Sequence, residues 1–262
     1  MPIAAFRPPR VRSLSFCCLL AATLASPSLL GAQQLDSLPI DSLPHETAIR
    51  WWQGAAALGG VSALMLLDGS IRHEVQTHRS AGADRVARTV RHFGQPEVYA
   101  TVPAALLLAG AIGHDARLTH IGGRVLASLA VAGAAGTGMK FVTGRARPDG
   151  PGIDADADDF GLFSGRDAWP SGHTSMAFAF ATSLGDELHN PWARWGLYGA
   201  ATAVAWSRVN DNRHWTSDVA MGALVGIASA KFASGRWRIF GLRAPSFIAG
   251  PRGMGLGWQA GF

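Results

Sequence analysis

Two histidines of this 262-residue chain have neighbours that suit them to phosphoryl transfer. His214 precedes Asp218 by four residues, so both can lie on one face of a helical turn. A carboxylate on one ring nitrogen would fix the tautomer and make the other nitrogen a better nucleophile. His173 follows Pro-Ser-Gly at the predicted start of a helix. Beside a bound anion it would be held protonated and could give a proton to a leaving oxygen.

Three cations stand near the ends of apolar segments and could surround a tetrahedral oxyanion. They are Lys140, Arg147 and Arg208, and only two of the 23 basic residues are lysines. Desolvated cations in such places are costly unless an anion pairs with them. An arginine can bind such an anion bidentately, whereas a lysine supplies a compact point charge.

The start of the helix at residue 172 is a second anion-binding feature. The backbone N–H groups of Ser171, Gly172 and His173 are predicted to lack partners within the helix, and Gly172 lets the backbone approach a ligand closely. An anion cradle, an oriented imidazole and an acidic imidazole together predict phosphoryl transfer through a phosphohistidine. Each cluster alone also fits a structural role, as interfacial cations, a serine-capped helix or a polar pair at a helix start. Their joint occurrence favours the site.

Six apolar segments would position these clusters, and their lack of strand alternation predicts helices. The segments are Trp51–Leu67, Val98–Gly113, Val125–Met139, Thr174–Leu184, Trp195–Trp206 and Val219–Ala233. Residues 70–95 are polar and are expected to form an amphipathic helix or a loop. The fold class predicted is therefore an all-α six-helix bundle. The segments fit either short membrane spans or the buried helices of a soluble bundle, because none clearly reaches about 20 residues without a charge.

Both ends of the chain differ from this helical region. Residues 1–32 resemble an export signal, with three arginines before an apolar stretch and cleavage expected after Ala32, although an uncleaved anchor helix is the alternative. Residues 33–50 repeat DSLP and are predicted to be a linker. The helical domain would span residues 51–235. A Gly/Pro-rich tail, 236–262, is expected to be short and irregular, with one extra strand at its end.

Composition excludes several classes of function. Both cysteines, Cys17 and Cys18, lie in the predicted signal, so the exported chain would have no disulfide or cysteine chemistry. Without residues 1–32 the chain keeps 20 basic and 18 acidic residues, a balance that gives no reason to expect a nucleic-acid partner. The acidic run from Asp154 to Asp158 departs from a calcium-loop pattern at Asp159 and Gly165, so a solvated loop is expected.

The three clusters resemble the signature motifs of the type 2 phosphatidic acid phosphatase (PAP2) and vanadium haloperoxidase superfamily. The motifs K-x6-RP, PSGH and SR-x5-H-x3-D stand in order at residues 140–148, 170–173 and 207–218, without a departure in any signature residue. The resemblance implies an all-α bundle. It also implies a role for each site residue: phosphate binding by Lys140, Arg147, Arg208, Ser171 and Gly172, general acid catalysis by His173, nucleophilic attack by His214, and orientation of that imidazole by Asp218.

The resemblance implies a phosphatase that needs neither a metal nor another cofactor. Its expected substrate is a lipid phosphate, such as phosphatidate or a polyprenyl diphosphate, and the export signal would put an enzyme of the cell envelope on the periplasmic side, in or at the membrane. A secreted nonspecific acid phosphatase acting on soluble phosphomonoesters is an alternative, since the same motifs serve that branch. A vanadate-dependent haloperoxidase is a second alternative, although the haloperoxidases of the superfamily that the motifs resemble have longer chains than this one.

Overall fold

Eight α-helices and four short strands make up the part of the chain that the computed structural model describes, residues 47–150, 156–239, 242, 246–250 and 253–257. These residues fall in one unit, Pro44–Phe262. The helices are α1 (Trp51–Met65), α2 (Asp68–Thr77), α3 (Ala81–Phe93), α4 (Pro96–Gly113), α5 (Ala116–Thr143), α6 (Gly172–Leu188), α7 (Pro191–Asn210) and α8 (Thr216–Ala233). The predicted export signal and residues 33–46 of the predicted linker lie outside the described residues.

The predicted number of helices, six, is too low for the described residues. All six apolar segments are helical, but the polar stretch 70–95 adds α2 and α3, which an inspection for apolar runs does not count. The helix α3 is capped at its amino end by the Ser80 hydroxyl, which accepts a hydrogen bond from the Ala83 N–H at 3.1 Å. The helix α2 begins at Asp68 after a bend of 52° from α1.

The helix α5 begins nine residues before the predicted start at Val125 and ends where the site begins. Its start is set by Asp115, whose carboxylate accepts the N–H groups of residues 117 and 118 at 2.8 and 3.2 Å. Its end is set by Gly144, which has a φ of 52° and donates its N–H to the Lys140 carbonyl at 3.0 Å. A Cβ at Gly144 would lie 1.9 Å from the Gly161 carbonyl oxygen. The turn after Lys140 therefore requires glycine.

The helix α6 lies at the centre of the bundle, packed against α5, α7 and α8. Its alanines at 177, 179 and 181 are buried and belong to the core cluster, which also contains Val125, Leu129 and Val204. Small side chains allow helices to approach closely, so the central helix can be surrounded on several sides.

The helices α6 and α8 approach each other closely at Gly222 and Gly226. A Cβ at Gly226 would lie 2.4 Å from the Ser175 carbonyl oxygen, and one at Gly222 would lie 2.7 Å from the Ser171 carbonyl oxygen. The four-residue spacing puts both glycines on the face of α8 that meets α6. This contact packs the first half of α6 against the middle of α8.

Replacement of Gly226 by alanine is expected to destabilise the protein by about 1–3 kcal/mol, because the added methyl group must separate two packed backbones. The measurement is the thermal unfolding temperature in detergent. Gly199→Ala on α7 is the matched control, since a Cβ there meets nothing within 4 Å, and the change should leave stability equal or slightly higher. Equal unfolding temperatures for the two variants would contradict the close packing of α6 and α8.

Two helices, α4 and α5, are long and apolar enough to cross a membrane by length and composition, and the bent pair α1–α2 would make a third candidate span. The candidate stretch of α4 is only 17% buried within the protein. Large apolar side chains are exposed on this helix, such as Leu108 and Ile112. A bilayer would cover this surface.

The tail is less irregular than predicted, because it holds the strands β2 (Trp237–Ile239), β3 (Ser246–Gly250) and β4 (Gly253–Gly257). The strand β2 pairs in parallel with β1 (Thr47–Ile49), which lies within the predicted linker, and β3 pairs antiparallel with β4. In β4, glycine stands at every second position, so the segment lacks the β-branched and aromatic residues that are typical of strands.

Candidate active site

The predicted site residues come together where the carboxyl ends of α5 and α7 meet the amino ends of α6 and α8. Lys140 lies in the last turn of α5, and Arg208 lies in the last turn of α7. A Cβ on Gly172 would be 3.8 Å from the Lys140 Cε atom, and the Ser171 N–H donates to the Asp218 carbonyl at 3.0 Å. The structure thus gathers all eight residues at one end of the bundle.

The first turn of α6 supplies fewer free donors than predicted. The Ser171 N–H is not free, because it is bonded to the Asp218 carbonyl. The Ser171 hydroxyl is fully buried, accepts a hydrogen bond from the Thr174 hydroxyl at 3.0 Å and makes no capping bond to the helix. The N–H groups of Gly172 and His173 lie in the first turn and are left uncapped by that side chain, which makes them the donors for an anion.

Arg208 is the most deeply buried of the three cations, with only 5% of its surface exposed. Its Nε atom has no hydrogen-bond partner, and its nearest carboxylate oxygen, on Asp211, lies 3.7 Å from Nη1. Burial lowers its pKa to about 10, so the guanidinium keeps its charge at neutral pH. A buried guanidinium with an unused donor favours an anion beside it.

The other two cations both contact Asp167, a residue that sequence analysis did not single out. The Arg147 guanidinium binds the Asp167 carboxylate bidentately at 2.8 and 2.7 Å, and the Lys140 ammonium group donates to the Asp167 carbonyl. A carboxylate therefore occupies the fork with which Arg147 would bind a phosphate. The only sequence signal for Asp167 is an acid four residues before Ser171, in a stretch that also holds other acids.

The imidazole of His214 is 3% exposed and stands in the loop before α8, so it shares no helical turn with Asp218. Its Nδ1 atom lies 3.4 Å from Asp218 Oδ2, too far for a well-formed hydrogen bond, and such contacts often tighten when substrate binds. Asp218 Oδ2 also accepts the Trp215 N–H at 2.9 Å, which fixes the carboxylate at the start of α8. The carboxylate is thus held beside His214 by the helix itself.

Burial and positive charge set the protonation of the site. Burial lowers the pKa of His173 to about 4, and the surrounding cationic groups add to the shift. Burial, reinforced by the same cations, also lowers the pKa of His214 well below its usual value. Both imidazoles are therefore neutral at pH 7. The prediction that an anion holds His173 protonated needs that anion to be bound.

Arg145 is a residue of the site that sequence analysis missed, because it stands in the spacer of the first motif. It is fully buried, and its Nη1 atom donates to Asp218 Oδ1 at 2.5 Å. Burial raises the pKa of Asp218 to about 7, and the Arg145 charge opposes that rise.

Of the remaining titratable residues that the structure describes, no group of three or more His, Asp or Glu side chains is arranged to hold a metal ion.

Part of this sequence matches a family model and a known protein. Residues 122–238, which include every predicted site residue, match the family model of the PAP2 superfamily. Lipid A 1-phosphatase of Porphyromonas gingivalis is 39% identical over 111 residues, which are 40% of this chain. The match spans only 22% of the length of that relative.

A solved structure has a similar fold. The first transmembrane PAP2 type phosphatidylglycerolphosphate phosphatase from Bacillus subtilis aligns with a TM-score of 0.53 over 70% of this chain and 95% of its own, at 20% identity. Aquifex aeolicus LpxE aligns with a TM-score of 0.48 over 63% of this chain and 92% of its own, also at 20% identity. Residues 122–238 are therefore similar in sequence to the PAP2 superfamily.

Proposed function

We propose that this chain is a metal-independent PAP2-type phosphatase that hydrolyses lipid phosphates through a phosphohistidine. The observation that carries the proposal is the buried Arg208, whose Nε atom has no partner, beside two further cations and two neutral imidazoles. Such a site attracts a tetrahedral oxyanion and has a nucleophile ready next to it.

The first step would form a phosphorus–nitrogen bond and break the ester bond. The free nitrogen of the His214 imidazole attacks phosphorus while His173 gives a proton to the leaving oxygen. As His214 gains positive charge, Asp218 stabilises it as a carboxylate. The cations Lys140, Arg147 and Arg208 and the N–H groups of Gly172 and His173 would hold the phosphate oxygens, with the hydroxyl of Ser171 behind them. For this, Arg147 must exchange Asp167 for phosphate.

The second step would return the enzyme to its starting state. His173, now neutral, takes a proton from a water molecule, whose oxygen attacks phosphorus and breaks the bond to His214. Inorganic phosphate leaves with the three oxygens of the phosphoryl group and one from water. The phosphate takes the proton from His173 as it leaves, so each turnover consumes one water and leaves both imidazoles neutral.

A lipid substrate is favoured by the apolar helices beside the site. The candidate span α5 ends next to Lys140, so a lipid in the bilayer could present its phosphate to the cradle while its chains stay in the membrane. The names of the two relatives, a lipid A phosphatase and a phosphatidylglycerolphosphate phosphatase, agree with this class. The predicted export signal supports an envelope enzyme that faces the periplasm. The candidate substrates are phosphatidate and a polyprenyl diphosphate, whose phosphate groups the cradle would bind.

The rate should fall as pH rises. The reaction needs one proton shared between His173 and the phosphate, and with a pKa of about 4 the free imidazole cannot supply it at neutral pH. We expect kcat/KM for an alkyl phosphate to fall about tenfold per pH unit above about pH 6, where the phosphate loses its second proton. The measurement is kcat/KM between pH 4 and 9. A rate that rises from pH 6 to pH 8 would contradict the role of His173 as a general acid.

The substrate class is tested by phosphate release in EDTA from phosphatidate in mixed micelles and from glycerol 3-phosphate, which has the same headgroup without the chains. We expect kcat/KM to be at least about 100-fold higher for phosphatidate, because a few buried methylene groups supply that much binding energy. Equal values would favour a nonspecific phosphatase of soluble monoesters. Release of phosphate from neither compound would contradict the proposed function for this substrate class.

A further inference from the structure

One face of α2 contacts the loops that carry the site residues, although no motif includes this helix. Its side chains Asp68, Arg72 and Gln76 are spaced by four residues and therefore lie on the same face. All three make hydrogen bonds to segments at least 76 residues away in the sequence. We call these three side chains the α2 face.

Asp68 is the most buried of the three and binds the start of α8. Its Oδ1 atom accepts the Ser217 N–H at 2.9 Å, and its Oδ2 atom accepts the Ser217 hydroxyl. The same Oδ2 atom accepts the Arg145 Nη2 at 2.8 Å. Asp68 is 1% exposed, so these charged contacts are shielded from water and depend on one another.

Arg145 connects Asp68 with Asp218. Its Nη1 atom donates to the Ser217 hydroxyl at 2.7 Å and to Asp218, and its Nε and Nη2 atoms donate to the Ala157 carbonyl. With the bond to Asp68, all five guanidinium N–H donors have partners. Its charge is shared between two carboxylates, Asp68 and Asp218.

Arg72 and Gln76 hold the loop between α7 and α8 from the same side. Arg72 donates to Asn212 Oδ1 and to the Pro148 carbonyl, each at 3.0 Å, and Gln76 donates to the Val209 carbonyl at 3.2 Å. This loop leads from Arg208 to His214. Its placement therefore depends on α2 as well as on its own helices.

We propose that the α2 face is a positioning element for the nucleophile, in which Asp68 acts through Arg145 and Asp218 to orient His214. Asp68 does not reach the phosphate. Its loss should lower kcat and leave KM unchanged, because the cradle that binds substrate stays in place. The kinetic part of this inference rests on the proposed phosphatase function.

Asp68→Asn isolates the charge of Asp68. Asparagine can still accept the Ser217 N–H, but its amide would face the donors of Arg145. We expect kcat on phosphatidate to fall about 10–100-fold, as with other outer partners of a functional histidine, while KM changes by less than about twofold. The matched control is Asp186→Asn at the other end of α6, a buried carboxylate bound by Lys231 at 2.7 Å. It should lose similar thermal stability and keep its kcat.

A spectroscopic readout makes the inference independent of turnover. The ¹⁵N shifts of the His214 ring, measured on histidine-labelled protein in detergent, report the protonation of its two nitrogens. We expect these shifts to change in Asp68→Asn and to stay as in the parent in Asp186→Asn. If the parent releases no phosphate, the proposed function fails while the shifts still test the positioning role.

The outcomes separate positioning from simple structural support. A fall in kcat with altered His214 shifts supports the proposal. Unchanged kcat and shifts in folded Asp68→Asn overturn it, and so does an equal loss of kcat in Asp186→Asn. If Asp68→Asn does not fold, Arg72→Lys replaces it, because lysine keeps the charge and cannot bind Asn212 and Pro148 together. Unchanged kcat and shifts in that variant would also overturn the proposal.

Discussion

Replacement of His214 by alanine is expected to lower phosphate release from phosphatidate by at least about 10⁴-fold, because it removes the atom that accepts the phosphoryl group. The residual rate would come from the cradle alone. The measurement is the initial rate in EDTA, together with a search for labelled phosphoenzyme after an alkaline quench, since the phosphorus–nitrogen bond breaks in acid. The parent should carry the label on histidine, and His214→Ala should carry none.

The matched control is His120→Ala. His120 stands in the first turns of α5, 20 residues before Lys140 and therefore about 30 Å from it along the helix axis. Its replacement should leave the rate and the labelling unchanged. Turnover by His214→Ala at a rate near that of the parent would remove His214 as the nucleophile and the phosphohistidine with it.

Replacement of His173 by glutamine is expected to have an effect that depends on the leaving group. For an alkyl phosphate, whose leaving alkoxide needs a proton, we expect kcat to fall about 10²–10⁴-fold. For an aryl phosphate with an acidic phenol as leaving group, the fall should be less than about tenfold, because the phenolate departs without a proton. The measurement is kcat for both substrates on the parent and the variant.

The ratio of the two losses is the decisive quantity, and it needs no separate control for folding. A misfolded fraction would lower both rates by the same factor, whereas the loss of a general acid lowers them unequally. Equal losses would assign His173 to phosphate binding through its N–H group and would leave the source of the proton with another residue.

The sequence grouped the candidate site residues better than it predicted the scaffold, because the motifs are local and the scaffold contacts are not. The three motifs each lie at the end of an apolar helix, so the helix ends bring them together once the bundle forms. The contact of Asp68 with Arg145 joins residues 77 positions apart, and no periodicity marks either of them. Nothing in the sequence distinguishes Asp68 from the other acids of the chain.

The errors in element prediction have the same origin. Residues 70–95 are expected to form an amphipathic helix or a loop, whereas the structure has two helices there, α2 and α3, of which α2 begins two residues earlier, at Asp68. The partner of the Ser171 N–H is a backbone carbonyl of α8, which no side-chain pattern reveals. The strand β1 finds its partner β2 almost 190 residues later, a pairing that local propensity does not predict.

The missing side chains of Gly222 and Gly226 have a consequence for how this protein can vary. At these positions the backbone of α6, which would bind phosphate, and the backbone of α8, which places Asp218, are too close for a side chain between them. Any larger residue there would push α6 away from α8. This displacement would loosen the bundle and would also change the alignment of the reacting groups. Substitutions at Gly222 and Gly226 should therefore lower the stability of the fold and the rate of turnover together. A second mutation that restores one of these properties should also restore the other.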